Sequence, residues 1–312
     1  MAASFRYEPS KYVPFRDSEA IARCRAIRRE DIDKHPNKDL KIRVVKDADV
    51  AFIVLAEMVG RIVNAARERK PLVMILPNPV PLYRHVARVL NSIRQDCKHL
   101  HLFAMDEYAN EKDEIAPDTW EYGFGYAMKK NFIASLDPAL RPPEKQVHVF
   151  TNSNLKDYGK RITDLGGADW CYSGPGWTGH LAFVEPDAPE FQSASLDEWK
   201  KMGPRICTLS PFTLAQNSLH GSFGMSGDLS AVPPKAATIG PAQVIEAKSR
   251  IDIHALGVHG TPTSWQRLIT RLCLHGPVTP KVPGSIHQLL KTDVYVSETS
   301  AMNIEPNWDK GY

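Results

Sequence analysis

The sequence predicts an α/β protein built on a doubly wound, mainly parallel sheet with helices on both faces. Short apolar segments, which are typical of buried strands, alternate along the chain with longer segments whose apolar residues recur at helical spacing. The 312-residue chain shows no internal repeat and no low-complexity linker that would divide it. This alternation implies right-handed crossovers between parallel strands, and such crossovers place helices against the sheet.

The N-terminal part of the chain contains the clearest strand and helix patterns. Residues 1–40 are polar and are predicted to form an extension with a short helix at 18–31, whereas residues 41–312 form a single domain. The fully apolar segment 71–77 predicts a buried parallel strand. The segment 47–70 predicts a helix because apolar residues recur at helical spacing: Val50, Ile53, Val54, Met58, Ile62 and Ala65.

Strands and helices continue to alternate toward the C-terminus. Further strands are predicted at residues 41–45, 99–105, 147–150, 168–172, 244–247, 249–256 and 294–296. Further helices are predicted at residues 82–95, 120–136, 155–165, 264–273 and 285–290. Ligands of such sheets bind beyond the carboxyl ends of the strands, so residues that directly follow a strand are the first candidates for a site.

Composition and charge exclude several classes of function. A net charge of +3, with Lys and Arg spread along the chain, disfavours nucleic acid as a partner. No apolar run approaches the roughly 20 residues of a membrane span, and the N-terminus lacks the apolar core of a signal peptide. Five scattered cysteines without a Cys-x-x-Cys pair indicate reduced thiols. We therefore expect a cytoplasmic protein without a membrane partner or a metal site.

The loop after the strand at 168–172 carries the strongest chemical signal. Its glycines, which include Gly176 and Gly179, permit a tight turn and close approach of a ligand. His180 follows them and can exchange protons near neutral pH. Glu185 lies five residues further on and could fix the tautomer of the imidazole or stabilise its charged form.

Two adjacent carboxylates follow another strand. Asp106 and Glu107 come directly after the strand predicted at 99–105. Because the carboxyl ends of parallel strands meet at one edge, these carboxylates and the histidine loop should face the same crevice.

Two motifs together resemble those of the glucosamine-6-phosphate deaminase (isomerase) family. Met105-Asp106-Glu107-Tyr108 is similar to the family's MDEY corner, and residues 176–186, GWTGHLAFVEP, resemble its GxDGHIAFNEP loop. The glutamate before Pro186 is typical of the deaminases rather than of the related 6-phosphogluconolactonases, whose loop is similar to DGHTASLFP. The resemblance extends from about residue 41 to about residue 300 and identifies the chain as a divergent member.

The resemblance implies a modified Rossmann-like sheet and an enzyme of amino-sugar metabolism. Its reaction would be aldose–ketose isomerisation with deamination, placed by family resemblance in the hydrolase class, and would need neither a metal nor an organic cofactor. Asp106 would move the proton between C1 and C2, His180 would assist ring opening, and Glu185 would be its carboxylate partner. The substrate-binding residues would be Asn78, Glu107, Gly176, Trp177, Thr178 and Gly179. Family members are often oligomers, so a homo-oligomer is expected.

The chain departs from the family pattern at several positions that concern the substrate. Thr178 replaces an aspartate beside the histidine; it can hydrogen-bond the imidazole but supplies no negative charge. The phosphate loop PTGxTP is replaced by residues 76–81, LPNPVP, which lack glycine and hydroxyl groups and have three prolines without N–H donors. Leu219 and Gly260 stand near the family's arginine and lysine ligands. Other anion contacts could come from His259, His220, Arg84 or Lys248.

The sequence thus predicts a sugar isomerase or deaminase whose substrate is altered or lacks phosphate. Two alternatives stay open: a lactonase-type hydrolase that uses His180 to activate water, and a catalytically silent sugar-binding protein. Release of acid without ammonia or ketose would identify the first, and ligand-induced stabilisation without turnover would identify the second.

Overall fold

A computed structural model describes residues 7–255 and 265–309 of the chain. Within the described residues, seven strands form one parallel sheet in the order β1-β10-β9-β6-β2-β3-β5, and three form a small antiparallel sheet in the order β4-β8-β7. The strands are β1 (Leu40–Val45), β2 (Leu72–Leu76), β3 (Leu100–Ala104), β4 (Asp106–Ala109), β5 (Val147–His148), β6 (Trp170–Ser173), β7 (Arg205–Thr208), β8 (Lys235–Thr238), β9 (Arg250–His254) and β10 (Thr292–Ser297).

Helices surround the large sheet, as the sequence predicts. The described α-helices are α1 (Ser18–Ala26), α2 (Val50–Arg67), α3 (Tyr83–Ser92), α4 (Phe124–Met128), α5 (Tyr158–Asp164), α6 (Leu196–Trp199), α7 (Pro211–Asn217), α8 (Pro241–Glu246), α9 (Gln266–His275) and α10 (Glu298–Ala301). A π-helical segment, Lys129–Ile133, continues α4, and the chain also contains short 3-10 helices, of which Pro283–Leu289 is the longest described.

The central strands are buried on both faces because successive side chains point to opposite sides. In β2, Leu72, Met74 and Leu76 pack with α2 and α3 in one apolar cluster. Val73 and Ile75 of the same strand belong to a second cluster, which includes α5 and the small sheet. The continuous apolar segment 71–77 is therefore explained by two covered faces, and the prediction of a doubly wound parallel sheet is confirmed.

The small antiparallel sheet is the main element that the sequence analysis missed. Met105 alone separates β3 from β4, so the chain leaves the large sheet and pairs at once with β8, where Asp106 lies opposite Thr238. The β8 sequence, Lys-Ala-Ala-Thr, is short and has little β propensity. Its strand conformation depends on pairing with β4 and β7, and local sequence does not reveal that pairing.

The segment 244–247 was predicted as a strand, and this prediction is wrong. Residues 244–246 form the end of α8, which has Pro241 in its first turn. The backbone N–H of Gly240 donates to the side chain of Gln243 at 3.0 Å and caps the helix start. The predicted start of the helix at Ser264 and the end of the strand at Leu256 lie outside the described residues.

The N-terminal residues pack on the rest of the chain. Cys24 of α1 shares a buried apolar cluster with Leu272 and Cys273 of α9. The guanidinium of the fully buried Arg271 donates to the carbonyl of Ile27 at 2.9 Å. A domain boundary at residue 40 stays a prediction. No described helix combines the length and the apolar character that crossing a membrane requires.

Candidate active site

A cavity of about 220 Å³ opens at the carboxyl ends of β2, β6 and β9. Its walls come from the loops after β2 and β6, from β4, from the histidine loop and from the end of α7. The described lining includes Asn78, Asp106, Ser173, Gly174, His180, Phe183, Gln216, Asn217 and His220. The two motifs singled out in the sequence therefore do face one crevice, at the edge where an α/β sheet binds ligands.

Asp106 presents a carboxyl group to this cavity. The residue is 6% exposed, and its Oδ1 atom is buried without a hydrogen-bond partner. Burial, and then the neighbouring carboxylate of Glu107, raise the pKa of Asp106 well above its ordinary value. Buried polar atoms in native structures almost always have a partner, so this unpaired oxygen points to a ligand as the missing partner.

Glu107 points away from the cavity, although it follows Asp106 directly. Its carboxylate accepts hydrogen bonds from the backbone N–H groups of Tyr108, Phe124 and Gly125, at 2.8, 3.0 and 2.7 Å. Burial raises the pKa of Glu107 to about 7, and these three hydrogen bonds oppose that shift. The carboxylate of Glu107 thus stabilises the start of α4, and the Glu107 side chain is not part of the described cavity lining.

His180 is held by hydrogen-bonding groups around its Nδ1 atom. This nitrogen lies 3.5 Å from Oε1 of Glu185 and 3.3 Å from the hydroxyl of Thr213 on α7. On the other side of the ring, a Cβ atom at Gly176 would lie 2.4 Å from Nε2. Gly176 therefore contributes to the site by having no side chain, because any larger residue would displace the imidazole.

Thr178 acts on Glu185 and not on the imidazole. Its hydroxyl donates to Oε2 of Glu185 at 2.9 Å, and both residues are buried. A threonine at this position can hydrogen-bond the imidazole, but in the structure the Thr178 hydroxyl is paired with Glu185. The threonine hydroxyl fixes the carboxylate that in turn faces His180.

Trp177 and Gly179 shape the loop without lining the cavity. The indole of Trp177 stacks on Trp265, with ring centroids 4.3 Å apart, and its backbone N–H donates to Gln216 at 2.8 Å. Gly179 has a φ of +74°, a left-handed conformation that favours glycine. Together with Gly176 and Thr178, these residues position His180. Their predicted contact with substrate stays a prediction.

Several cavity residues lack hydrogen-bond partners for buried atoms. They are Asn78 at Oδ1, Asp106 at Oδ1, Asn217 at both amide atoms and His220 at Nδ1. Asn217 is fully buried, and its polar neighbour is the hydroxyl of Tyr108. Burial, together with the nearby His180, lowers the pKa of His220 to about 4, and the ring is neutral at pH 7.

The sequence analysis did not propose Thr213, Gln216 or Asn217 as site residues. All three lie on α7, whose start is marked in the sequence by Ser210 followed by Pro211, a recognisable helix N-terminus. That signal could have predicted the helix. It could not have shown which face of the helix meets the histidine loop, because this depends on tertiary packing.

The described residues that were proposed as alternative anion contacts lie in different parts of the structure. Of the three candidates that the structure describes, only His220 lines the cavity; Arg84 donates to Asn131 at 2.8 Å, and Lys248 pairs with Asp169 at 2.7 Å. His259 and Gly260 lie outside the described residues. Within residues 7–255 and 265–309, the cavity lining contains neither Lys nor Arg. The same ranges contain no cluster of three His, Cys, Asp or Glu suited to a metal ion.

Known proteins agree with the motif resemblance. No family model matches the chain. A glucosamine-6-phosphate deaminase of Lachnoclostridium phytofermentans is 27% identical over 217 residues, which cover 68% of this chain and 79% of that protein. The deaminase of Mannheimia succiniciproducens is 29% identical over 218 residues, covering 66% and 73%. The chain is thus similar, as a divergent relative, to glucosamine-6-phosphate deaminases.

Solved structures of this family and its relatives have the same fold. A monomeric glucosamine-6-phosphate deaminase matches with a TM-score of 0.65 at 17% identity, over 84% of this chain and 99% of that one. The 6-phosphogluconolactonase of Trypanosoma cruzi matches with a TM-score of 0.60 at 16% identity, over 88% and 100%. The described chain thus shares the fold of these solved structures. Its self-association, expected from the resemblance, stays a prediction.

Proposed function

We propose that the protein is a sugar isomerase or deaminase that acts on an amino sugar by acid–base catalysis and releases ammonia. The observation that carries the proposal is the convergence of Asp106 and His180 on one cavity at the carboxyl ends of the strands. The similarity to named glucosamine-6-phosphate deaminases supports the reaction class.

Asp106 is proposed as the base that moves a proton between adjacent carbons of the open-chain sugar. A base for this step must reach the substrate and must have a proton affinity near that of the working pH. Asp106 lines the cavity, its Oδ1 atom has no hydrogen-bond partner, and burial raises the pKa of the carboxyl group. Both properties suit a carboxylate that accepts a proton from carbon and returns it to the next carbon.

His180 is proposed as the group that opens the sugar ring. Ring opening needs a proton donor at the ring oxygen and an acceptor at the anomeric hydroxyl, and an imidazole can serve both. Glu185 faces Nδ1 and orients the ring, while Thr178 holds Glu185 in place. The missing side chain at Gly176 lets the imidazole lie close against the backbone of the loop, since a Cβ atom there would be 2.4 Å from Nε2.

The substrate is proposed to lack the phosphate group. The loop at residues 76–81 is unsuited to bind an anion because three of its residues are prolines and none is glycine. The described cavity lining offers no Lys or Arg to balance a phosphate charge. These two observations are independent, since one concerns backbone donors and the other side-chain charge.

The experiment is a turnover assay with glucosamine and glucosamine 6-phosphate, with ammonia and ketose both measured. We expect ammonia and ketose in equal amounts from glucosamine. His180→Ala should lower the rate at least about 100-fold, the usual contribution of a positioned proton donor. His85→Gln is the matched control, because His85 is an exposed histidine outside the cavity lining.

Other outcomes would contradict the proposal in distinguishable ways. Acid formed from a sugar lactone, with no ammonia from either amino sugar, would identify a lactonase-type hydrolase. Thermal stabilisation by the sugars without turnover would identify a silent binding protein. An unchanged rate in His180→Ala would exclude that residue as the ring-opening group.

A further inference from the structure

Unpaired polar atoms of Asn78, Asn217 and His220, three side chains that we call the neutral triad, lie in the cavity that holds Asp106 and His180. We propose that this triad is a recognition site for a hydroxyl-bearing, uncharged part of the substrate and determines specificity against a phosphate in the same position. The proposal rests on the proposed function, because it concerns the same cavity.

The hydrogen-bonding character of the triad supports a hydroxyl. A phosphate is an acceptor only, whereas a sugar hydroxyl both donates and accepts. The unpaired atoms include acceptors, Oδ1 of Asn78 and Oδ1 of Asn217, and a donor, the Nδ2 group of Asn217. A neutral imidazole at His220 provides one donor and one acceptor. A phosphate could accept from the Nδ2 group of Asn217, but it offers no donor to the two amide oxygens.

The charge of the triad supports the same conclusion. Two of its members are amides, and the third is an imidazole whose pKa is lowered to about 4 by burial and by His180. A second positive charge at His220 would stand near the proposed proton donor. Transfer of a phosphate from water into a cavity without a balancing charge is costly. The described lining offers no such charge.

The incomplete hydrogen bonding of Asn217 indicates that this residue serves a ligand. Its side chain is fully buried and interacts with the buried hydroxyl of Tyr108, but neither amide atom makes a hydrogen bond of normal geometry. A buried amide whose hydrogen bonds are incomplete destabilises the fold relative to an apolar side chain of the same shape. Asn131 offers a contrast: it is also buried, but its Oδ1 accepts a hydrogen bond from Arg84 at 2.8 Å, outside the cavity.

The test measures binding without turnover. The open-chain alditol of glucosamine and the same alditol carrying a 6-phosphate cannot isomerise, and their affinities are measured by calorimetry on the full chain. We expect the unphosphorylated alditol, which we call the neutral alditol because its 6-position carries no charge, to bind at least about tenfold more tightly than its phosphate. Asn217→Leu, an almost isosteric change, should weaken the neutral alditol by about tenfold to a hundredfold, as expected for the loss of one or two hydrogen bonds.

The control variant and a stability measurement separate recognition from folding. Asn131→Leu should leave the affinity for the neutral alditol unchanged, while it lowers the melting temperature. Asn217→Leu should leave the melting temperature unchanged or raise it. Tighter binding of the phosphorylated alditol, no binding of either alditol, or an unchanged affinity in Asn217→Leu would each overturn the proposal.

The turnover assay and the binding assay test the proposed reaction and the proposed recognition site independently. If the neutral alditol binds through Asn217 but glucosamine is not converted, the proposed reaction is wrong and the recognition site stands. If glucosamine 6-phosphate is converted and its alditol binds more tightly, the reaction stands and the recognition site is wrong.

Discussion

Two buried polar clusters lie side by side in this protein and differ in how completely their hydrogen bonds are made. The first, which we call the strand network, joins β6 and β9 to the segment after α9 through Ser173, Asp252, His254 and His287. Ser173 donates to Asp252 at 2.8 Å, and His254 Nε2 lies 2.9 Å from the same carboxylate. Thr270 and Thr292 face the remaining nitrogens of the two histidines, at 3.0 and 3.2 Å.

The second cluster is the cavity group, Asn78, Asp106, Asn217 and His220. Each member has at least one buried polar atom without a partner. Asn78 and His220 are half-buried as residues, but the unpaired atoms of the cavity group are buried like the polar atoms of the strand network, so burial of these atoms does not distinguish the clusters. What distinguishes the clusters is whether their polar atoms have hydrogen-bond partners. A network in which all partners are present stabilises the fold, and one with missing partners is available to a ligand.

The carboxyl groups of the two clusters also differ in the direction of their pKa shifts. Burial alone would raise the pKa of Asp252, but His287, His254 and Ser173 lower it well below the ordinary value. Asp106 has no such partners, and burial together with Glu107 raises its pKa. The carboxylate of Asp252 is thus held charged as part of the structure, whereas Asp106 can exchange a proton.

The largest expected effect concerns catalysis by the cavity group. Asp106→Asn should reduce turnover of the amino sugar by about 10²–10⁴-fold, because an amide cannot accept the proton from carbon. The fold should remain intact, since no hydrogen bond of Oδ1 is lost. Steady-state kinetics and far-UV circular dichroism measure both properties. Asp197→Asn, at a highly exposed side chain, is the control; equal activity of the two variants would refute the assignment.

The corresponding change in the strand network should affect stability. Asp252→Ala removes the partner of Ser173, His254 and His287, and we expect the free energy of unfolding to fall by about 3–5 kcal/mol. Denaturant titration followed by fluorescence measures this change. A loss below about 1 kcal/mol would mean that the strand network does not stabilise the fold, and the distinction between the clusters would fail.

The pH dependence of stability sharpens the comparison. The folded-state pKa of Asp106 lies above the value of 3.8 expected for an exposed aspartate. As pH rises from 3.8 toward the folded-state pKa, the unfolded chain releases its proton first, so the wild type loses stability. Asp106→Asn has no proton to lose at this position. Its stability relative to wild type should grow over this pH range, by at most about 1.4 kcal/mol per pH unit.

The contribution of Asp252 to pH dependence has the opposite sign. Its folded-state pKa is lowered, so its stabilising effect is present above the unfolded pKa and is lost as the solution is acidified through the folded-state pKa. Thermal melting of the wild type and of Asp106→Asn at a series of pH values measures how the stability difference between these two proteins changes with pH. A constant offset between the two proteins at every pH would contradict the raised pKa of Asp106.

The smallest effect is expected at Thr178. Thr178→Val removes the hydroxyl that donates to Glu185 at 2.9 Å and leaves a buried carboxylate oxygen unpaired. We expect a loss of about 1–3 kcal/mol in stability and about tenfold in activity. Thr178→Ser restores the hydroxyl and should recover both. If valine and serine behave alike, the hydroxyl does not hold Glu185.

Much of the fold could be predicted because its signals are local. The apolar segment 71–77 and the helical spacing in 47–70 reflect burial on two faces and on one face, respectively. The strands β7 and β8 could not be predicted, because short segments such as Lys235–Thr238 adopt strand conformation only through their neighbours in the small sheet. The same small sheet places Asp106 at the cavity. The neighbours of Asp106 therefore could not be predicted from local sequence patterns either.

The site was only partly predictable for a related reason. Asp106, His180 and Asn78 line the cavity as predicted from residues that follow strands. Glu107 carries the same functional group as Asp106, but alternation along β4 turns it toward the backbone of α4. Whether a buried amide such as Asn217 is satisfied depends on every neighbouring group in space, and no spacing in the sequence contains that information.

Proton transfer to carbon in heavy water tests the central claim most directly. Wild type and Asp106→Asn are incubated with glucosamine in deuterium oxide, and the products are followed by nuclear magnetic resonance. We predict fructose and ammonium from the wild type, with deuterium bound at the carbon that receives the proton, and neither product nor carbon-bound deuterium from the variant. Equal fructose formation by both proteins, or none by either, would contradict the account.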